Sequence, residues 1–188
     1  YVWTGADGDA LASRAGNWSV DGRVPETPPG RRDVVRLDGG ASSDLVWDGG
    51  SNTLTASVAG WTQTADYTGS VTIATVYGTN GFTNLAIAGD CVLQGGVWRH
   101  KRNAEVERYR LCVSVGGSLV VDGSAAIDVT GRGYGTHKGP GAEGLRGRAS
   151  AGHGGLGAAG GYGAAYGSCI TPTHLGSGAT SPGGGAVY

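Results

Sequence analysis

The chain has 188 residues, enough for one domain with its own apolar core and no reliance on metals or a dense disulfide framework. Its 14 Lys and Arg nearly balance 15 Asp and Glu, and only 15 % of residues are charged, so no overall field draws it toward nucleic acid or acidic lipid. Glycine supplies 39 residues and proline only 6, without a Gly-X-Y period, which excludes collagen, and no apolar run approaches the ~20 residues of a membrane helix.

Taken in chain order, residues 1–40 carry Trp3 and Trp18, a polar loop, the prolines of Val24-Pro25 and Pro28-Pro29, and then a first strand, Asp33-Val34-Val35-Arg36-Leu37. This stretch is predicted to be an N-terminal cap, because an open sheet end would leave backbone groups unpaired. Residues 41–130 alternate apolar and polar positions: Leu45 and Trp47, Leu54 with Ala56 and Val58, Val71 and Ile73, Leu85 and Ile87, Leu111 with Val113 and Val115, Leu119 and Val121, Ile127 and Val129. That two-residue period is the signature of half-buried strands. Steps such as Gly95-Gly96, Gly116-Gly117 and Asp122-Gly123 punctuate the strands. Glycines this frequent nearly exclude helices, since each interior glycine costs about 1 kcal/mol against alanine. The exception is 98–112, which has helical composition but equally suits an exposed hairpin. Residues 131–188 form a glycine-rich segment, read as an insertion or an intersubunit contact.

Short Val/Ile/Leu strands bent at small residues favour a parallel β-helix, or β-solenoid, over a sandwich or barrel, with about 20–25 residues per turn. The fold class is therefore all-β. Absence of methionine and a start at Tyr1 suggest a processed, exported product. Cys91 and Cys112 lie one expected turn apart, which makes them a candidate disulfide beside the alternative of three thiols.

The segments Tyr1-Val2-Trp3-Thr4-Gly5, Gly16-Asn17-Trp18-Ser19, Val24-Pro25 and Asp33-Val34-Val35 occur in that order. Further on stand Ala126-Ile127-Asp128-Val129-Thr130-Gly131, His153-Gly154-Gly155 and Gly183-Gly184-Gly185-Ala186-Val187. Together they resemble the N-terminal part of large secreted bacterial glycine-rich β-helix surface proteins of the autotransporter-passenger type. The resemblance implies a β-helix at the cell exterior and no particular reaction.

Three functions are weighed. The first is an extracellular structural protein that assembles into a fibre, sheath or surface layer by stacking or strand addition, with Ala186, Val187 and Tyr188 as the assembly contact. The second is a glycan-binding adhesin using Trp98, Arg99 and Lys101 beside the only basic patch. The third is a polysaccharide-active β-helix enzyme drawing on Asp90, Arg99, His100, Lys101, Asp122, Asp128 and Arg132, although aspartate beside glycine is ordinary turn chemistry. Asp7-Gly8-Asp9 with Asp21 is the best oxygen cluster for calcium, yet a plain turn explains it better. The four histidines have no ligand spacing, and no cofactor is expected. The expected partner is a second copy or a glycan, and the protein is read as non-catalytic.

Overall fold

The computed structural model describes residues 1–49, 56–76, 85–142, 152–153, 164–171 and 173–187. Among them helix is confined to two three-residue 3₁₀ turns, Ala15–Asn17 and Pro140–Ala142. Thirteen strands follow in chain order: β1 (Val2–Trp3), β2 (Trp18–Ser19), β3 (Val34–Leu37), β4 (Leu45–Trp47), β5 (Ser57–Val58), β6 (Gly60–Gln63), β7 (Ser70–Ile73), β8 (Leu85–Ile87), β9 (Cys91–Leu93), β10 (Val97–His100), β11 (Val113–Val115), β12 (Leu119–Val121) and β13 (Ala126–Ile127). Leu54 lies outside the described residues.

The chain divides into two compact units, Tyr1–Arg99 with Cys112–Asp128, and His100–Leu111 with Val129–Tyr188. In the first unit the strands form three sheets, ordered β12-β9-β6-β3-β1-β2, β13-β10-β7-β4 and β11-β8-β5. From β3 onward each strand pairs with the one three places later. The registers show these pairs parallel, as in Val35 opposite Trp61, Leu45 opposite Val71 and Leu85 opposite Val113. Parallel neighbours need long connections, and the chain uses each connection to build strands of the other two sheets. The offset is 26 residues from Val35 to Trp61, 30 from Trp61 to Cys91 and 28 from Cys91 to Leu119, longer than the expected 20–25.

That longer offset decides the place of the cysteines. The residue opposite Cys91 is Leu119, whereas Cys112 precedes β11 in a different sheet, and no disulfide joins the two. Burial pushes the Cys91 thiol up to about 12, so it behaves as a small apolar side chain.

Alternation sorts each strand into core and surface positions. Leu37, Leu45, Trp47, Val58, Trp61, Val71, Ile73, Leu85, Ile87, Leu93 and Trp98 are all buried. Trp61 stands edge-on to Trp47 at 5.4 Å and to Trp98 at 5.2 Å, tying two sheets together through their side chains. Gln63 occupies a core position among them. Its Oε1 accepts the indole N–H groups of both Trp61 and Trp98, and its Nε2 donates to the Gly95 carbonyl at 2.7 Å. A buried amide with both ends satisfied fixes the orientation of the rings around it.

The first strands of two of the sheets are covered. β1 pairs with β3, and β2 closes antiparallel on β1. Residues 10–12 bond to Val46 of β4, and the Ala59 amide donates to Asp33 O. Trp3 and Trp18 meet edge-on at 5.1 Å beneath this cover. Asn17 organises it, accepting from the Asp7 amide and donating to Asp9 and the Leu11 carbonyl.

The second unit is held by glycine backbones. Gly133 donates to Gly183 O at 2.7 Å, Gly183 to Tyr134 O at 2.9 Å, and Gly178 to Lys138 O at 2.9 Å. A Cβ on Gly178 would collide with the Gly135 carbonyl, so this close approach of two main chains requires glycine there.

Candidate functional site

In the first unit, β11, β12 and β13 are each the last strand of their sheet. Ser118 O accepts from Cys91, and the Asp122 amide donates to Leu93 O. Alternation along a parallel ladder then turns the N–H and C=O groups of Leu119 and Val121 toward the open side. The same holds for Ile127 in β13, whose neighbours Ala126 and Asp128 donate to Gly96 and Trp98. It holds in β11 for Val113 and Val115, since Gly116 donates to Ile87.

The side chains at this edge are the next layer of the core. Leu119 stands opposite buried Cys91, Val121 opposite buried Leu93, and Ile127 opposite buried Trp98. Yet their own exposures are 53 %, 45 % and 36 %. An apolar core layer and three backbone edges without a strand partner among the described residues therefore end together, a combination that proteins otherwise cover or charge.

The residues expected to bind ligand are placed differently. Trp98 is buried, not exposed as expected for a stacking platform, because it falls on the core-facing parity of β10. Arg99, on the opposite face, donates to Ser70 Oγ at 2.5 Å and Thr72 Oγ1 at 3.2 Å, with Asp44 at 3.7 Å. Partial burial opposes ionisation of Asp44, but hydrogen bonds from Ser70 and the charge of Arg99 hold its carboxyl below the usual range. Asp90 Oδ1 accepts the Ser118 amide 28 residues on, and Asp122 Oδ1 accepts the amide of the next residue, Gly123, within its own turn. Asp9 is occupied by Asn17, Leu11 and Arg14.

In the second unit, 101–110 contains neither helix nor hairpin strands. Asn103 replaces them as the organiser. Its Oδ1 accepts the amides of Arg108 and Tyr109 at 2.7 and 2.9 Å, and its Nδ2 donates to the carbonyls of Tyr109 and Arg132. Lys101 lies on the outer side, 5.4 Å from the Tyr109 ring centroid.

The segment expected to be an assembly contact is engaged within its own chain. Leu111 donates to Ala186 O and bridges Val187 in parallel, and Ala186 is buried; Tyr188 lies outside the described residues. The Ala186 amide donates to Nε2 of buried His100, whose Nδ1 is 2.8 Å from the Lys101 carbonyl. Both contacts are met by a neutral ring carrying its proton on Nδ1. Gly185 lets the backbone pass this close, since a Cβ there would collide with the imidazole.

Burial holds His100 below its ordinary value of 6.5; the Lys101 carbonyl opposes that shift, Arg132 and Arg110 add to it, and Glu107 opposes it. The undocked state therefore binds a proton more readily than the docked one. Docking of 185–187 is expected to be complete above pH ~6.5 and to weaken as the pH falls below it. The protection factor of the Ala186 amide, measured across that range, should drop on acidification. A protection factor independent of pH would contradict this assignment of His100.

No protein-family model, curated protein or solved structure matches the chain. Functional assignment therefore rests on the geometry of the edge and the loop.

Proposed function

We propose that this chain is a parallel β-helix and serves as a structural protein of the cell exterior, self-associating through the open end formed by β11, β12 and β13. The β-helix reading is supported by the three-strand periodicity, in which every connection between paired strands builds the other two sheets in turn. The observation that carries the functional reading is the exposed core layer of Leu119, Val121 and Ile127 beside three edges that have no strand partner among the described residues.

A lone peptide strand added to one sheet would leave the other two edges open. A second copy offers three edges with the same spacing and the same apolar layer. Because β1, β2 and residues 10–12 cover the β3 and β4 edges at the opposite end, the joint forms between two open ends related by a two-fold axis. Parallel sheets joined in this way meet through antiparallel β12–β12 type pairs. The export expectation enters through the resemblance to secreted β-helix surface proteins. In sedimentation equilibrium the chain should show a reversible, concentration-dependent monomer–dimer equilibrium. A single monomeric species at all concentrations would overturn the proposal.

A further inference from the structure

We propose that the 101–109 loop is a binding site for acidic saccharides carrying carboxylate groups, independent of the self-association of the sheet edge. The loop encloses a cleft of about 460 Å³ lined by Arg102, Asn103, Ala104, Glu105, Arg108 and Tyr109, a size within the range of small-ligand pockets. Its charge balance differs from what the local sequence suggests. Glu105 and Glu107 stand among the basic residues, but each is engaged by a cation, Glu105 by Lys138 from outside the loop and Glu107 by Arg110 three residues on. Glu105 lies 2.7 Å from Lys138, and Glu107 pairs with Arg110, both largely buried. Arg110 in turn donates to the Thr173 carbonyl at 2.6 Å.

The cations lining the cleft keep their donors. Among the described residues Arg102 donates from Nε to the Gly131 carbonyl at 3.1 Å, and no ion-pair partner faces the Arg108 guanidinium. Two planar guanidinium forks suit bidentate recognition of carboxylates, and Lys101 adds charge from beside the Tyr109 ring. Tyr109, half-buried, adds an apolar surface of the kind that packs against sugar C–H faces. Asn103 makes the site a built one. Its buried amide closes the loop at both ends, so Arg102 and Arg108 are held on a fixed backbone and little ordering entropy is lost on binding.

The test uses the full chain and an oligogalacturonate, with a neutral glucose oligomer of equal length as comparison, followed by isothermal titration calorimetry. Saturable binding of the oligogalacturonate is expected, weakened by salt and by roughly 10-fold or more in Arg108→Ala, which corresponds to about 1.4 kcal/mol. Arg23→Ala, an exposed arginine of the other unit, should bind like the parent chain. Asn103→Ala should weaken binding while both arginines remain, and retained tryptophan fluorescence would verify that the first unit is still folded. Equal affinity for the neutral oligomer, no binding of the oligogalacturonate, or unchanged affinity in Arg108→Ala would each overturn the assignment.

Discussion

Replacement of Trp61 by alanine is expected to lower the stability of the first unit by about 3–5 kcal/mol, the usual range for deleting a fully buried aromatic. Trp61 is 1 % exposed and makes edge-on contacts with Trp47 and Trp98, each pair adding roughly 0.5–1.5 kcal/mol beyond area burial. The loss is compounded at Gln63, whose carbonyl would keep only the Trp98 indole as a donor in a cavity that cannot collapse without moving two sheets. Against a total stability of about 5–15 kcal/mol for a typical domain, the variant should lose most of its margin. Urea unfolding followed by the remaining tryptophans measures it. Val34→Ala, at an outward position of β3, should change stability by no more than about 0.5 kcal/mol. A Trp61→Ala midpoint equal to that of Val34→Ala would mean that the sheets do not share this core.

The second large effect concerns association. Leu119→Lys combined with Val121→Lys places two ammonium groups on the core-facing side of β12, where the two-fold joint would bring them against their own counterparts. Desolvating like charges in this way should weaken dimerisation by at least ~100-fold, about 3 kcal/mol. Because both positions are already half-exposed in the single chain, the monomer should melt close to the parent temperature. Val34→Lys adds a charge on the outer face of β3 and should leave association unchanged. Dimerisation retained in the double variant would place the joint elsewhere.

Several strands were legible from alternation because both core positions in them are apolar: Leu45 and Trp47, Val71 and Ile73, Leu119 and Val121. β6 escaped notice because Gln63 takes a core position that a hydrophobic pattern expects to be apolar. The parity of Trp61-Thr62-Gln63 was the available signal, since a residue two places from a buried tryptophan shares its face. β10 was obscured by charge. Val97-Trp98-Arg99-His100 alternates, but Arg99 and the basic residues after it gave the stretch the look of a solvated loop, and so Trp98 was expected at the surface. His100 shares the parity of Trp98 and is buried for the same reason.

The candidate sites were less legible than the strands. Nothing local in Leu119-Val120-Val121 distinguishes a strand in the middle of a sheet from one at its edge, because that depends on which strand comes next in space. The roles of Asn103 and Ala186 depend on contacts with residues 132 and 100, far apart in sequence. The period was underestimated because the connections between strands, such as the one from β10 to β11, carry loops that no strand pattern measures.

The most direct measurement is amide hydrogen exchange of Val113, Val115, Leu119, Val121 and Ile127 at low and high protein concentration. Their N–H groups face the open edge, so they should exchange freely in the monomer and become protected as concentration rises, while Val120, already directed at β9, stays protected throughout. Equal exchange of the five edge amides at both concentrations would contradict self-association through this end.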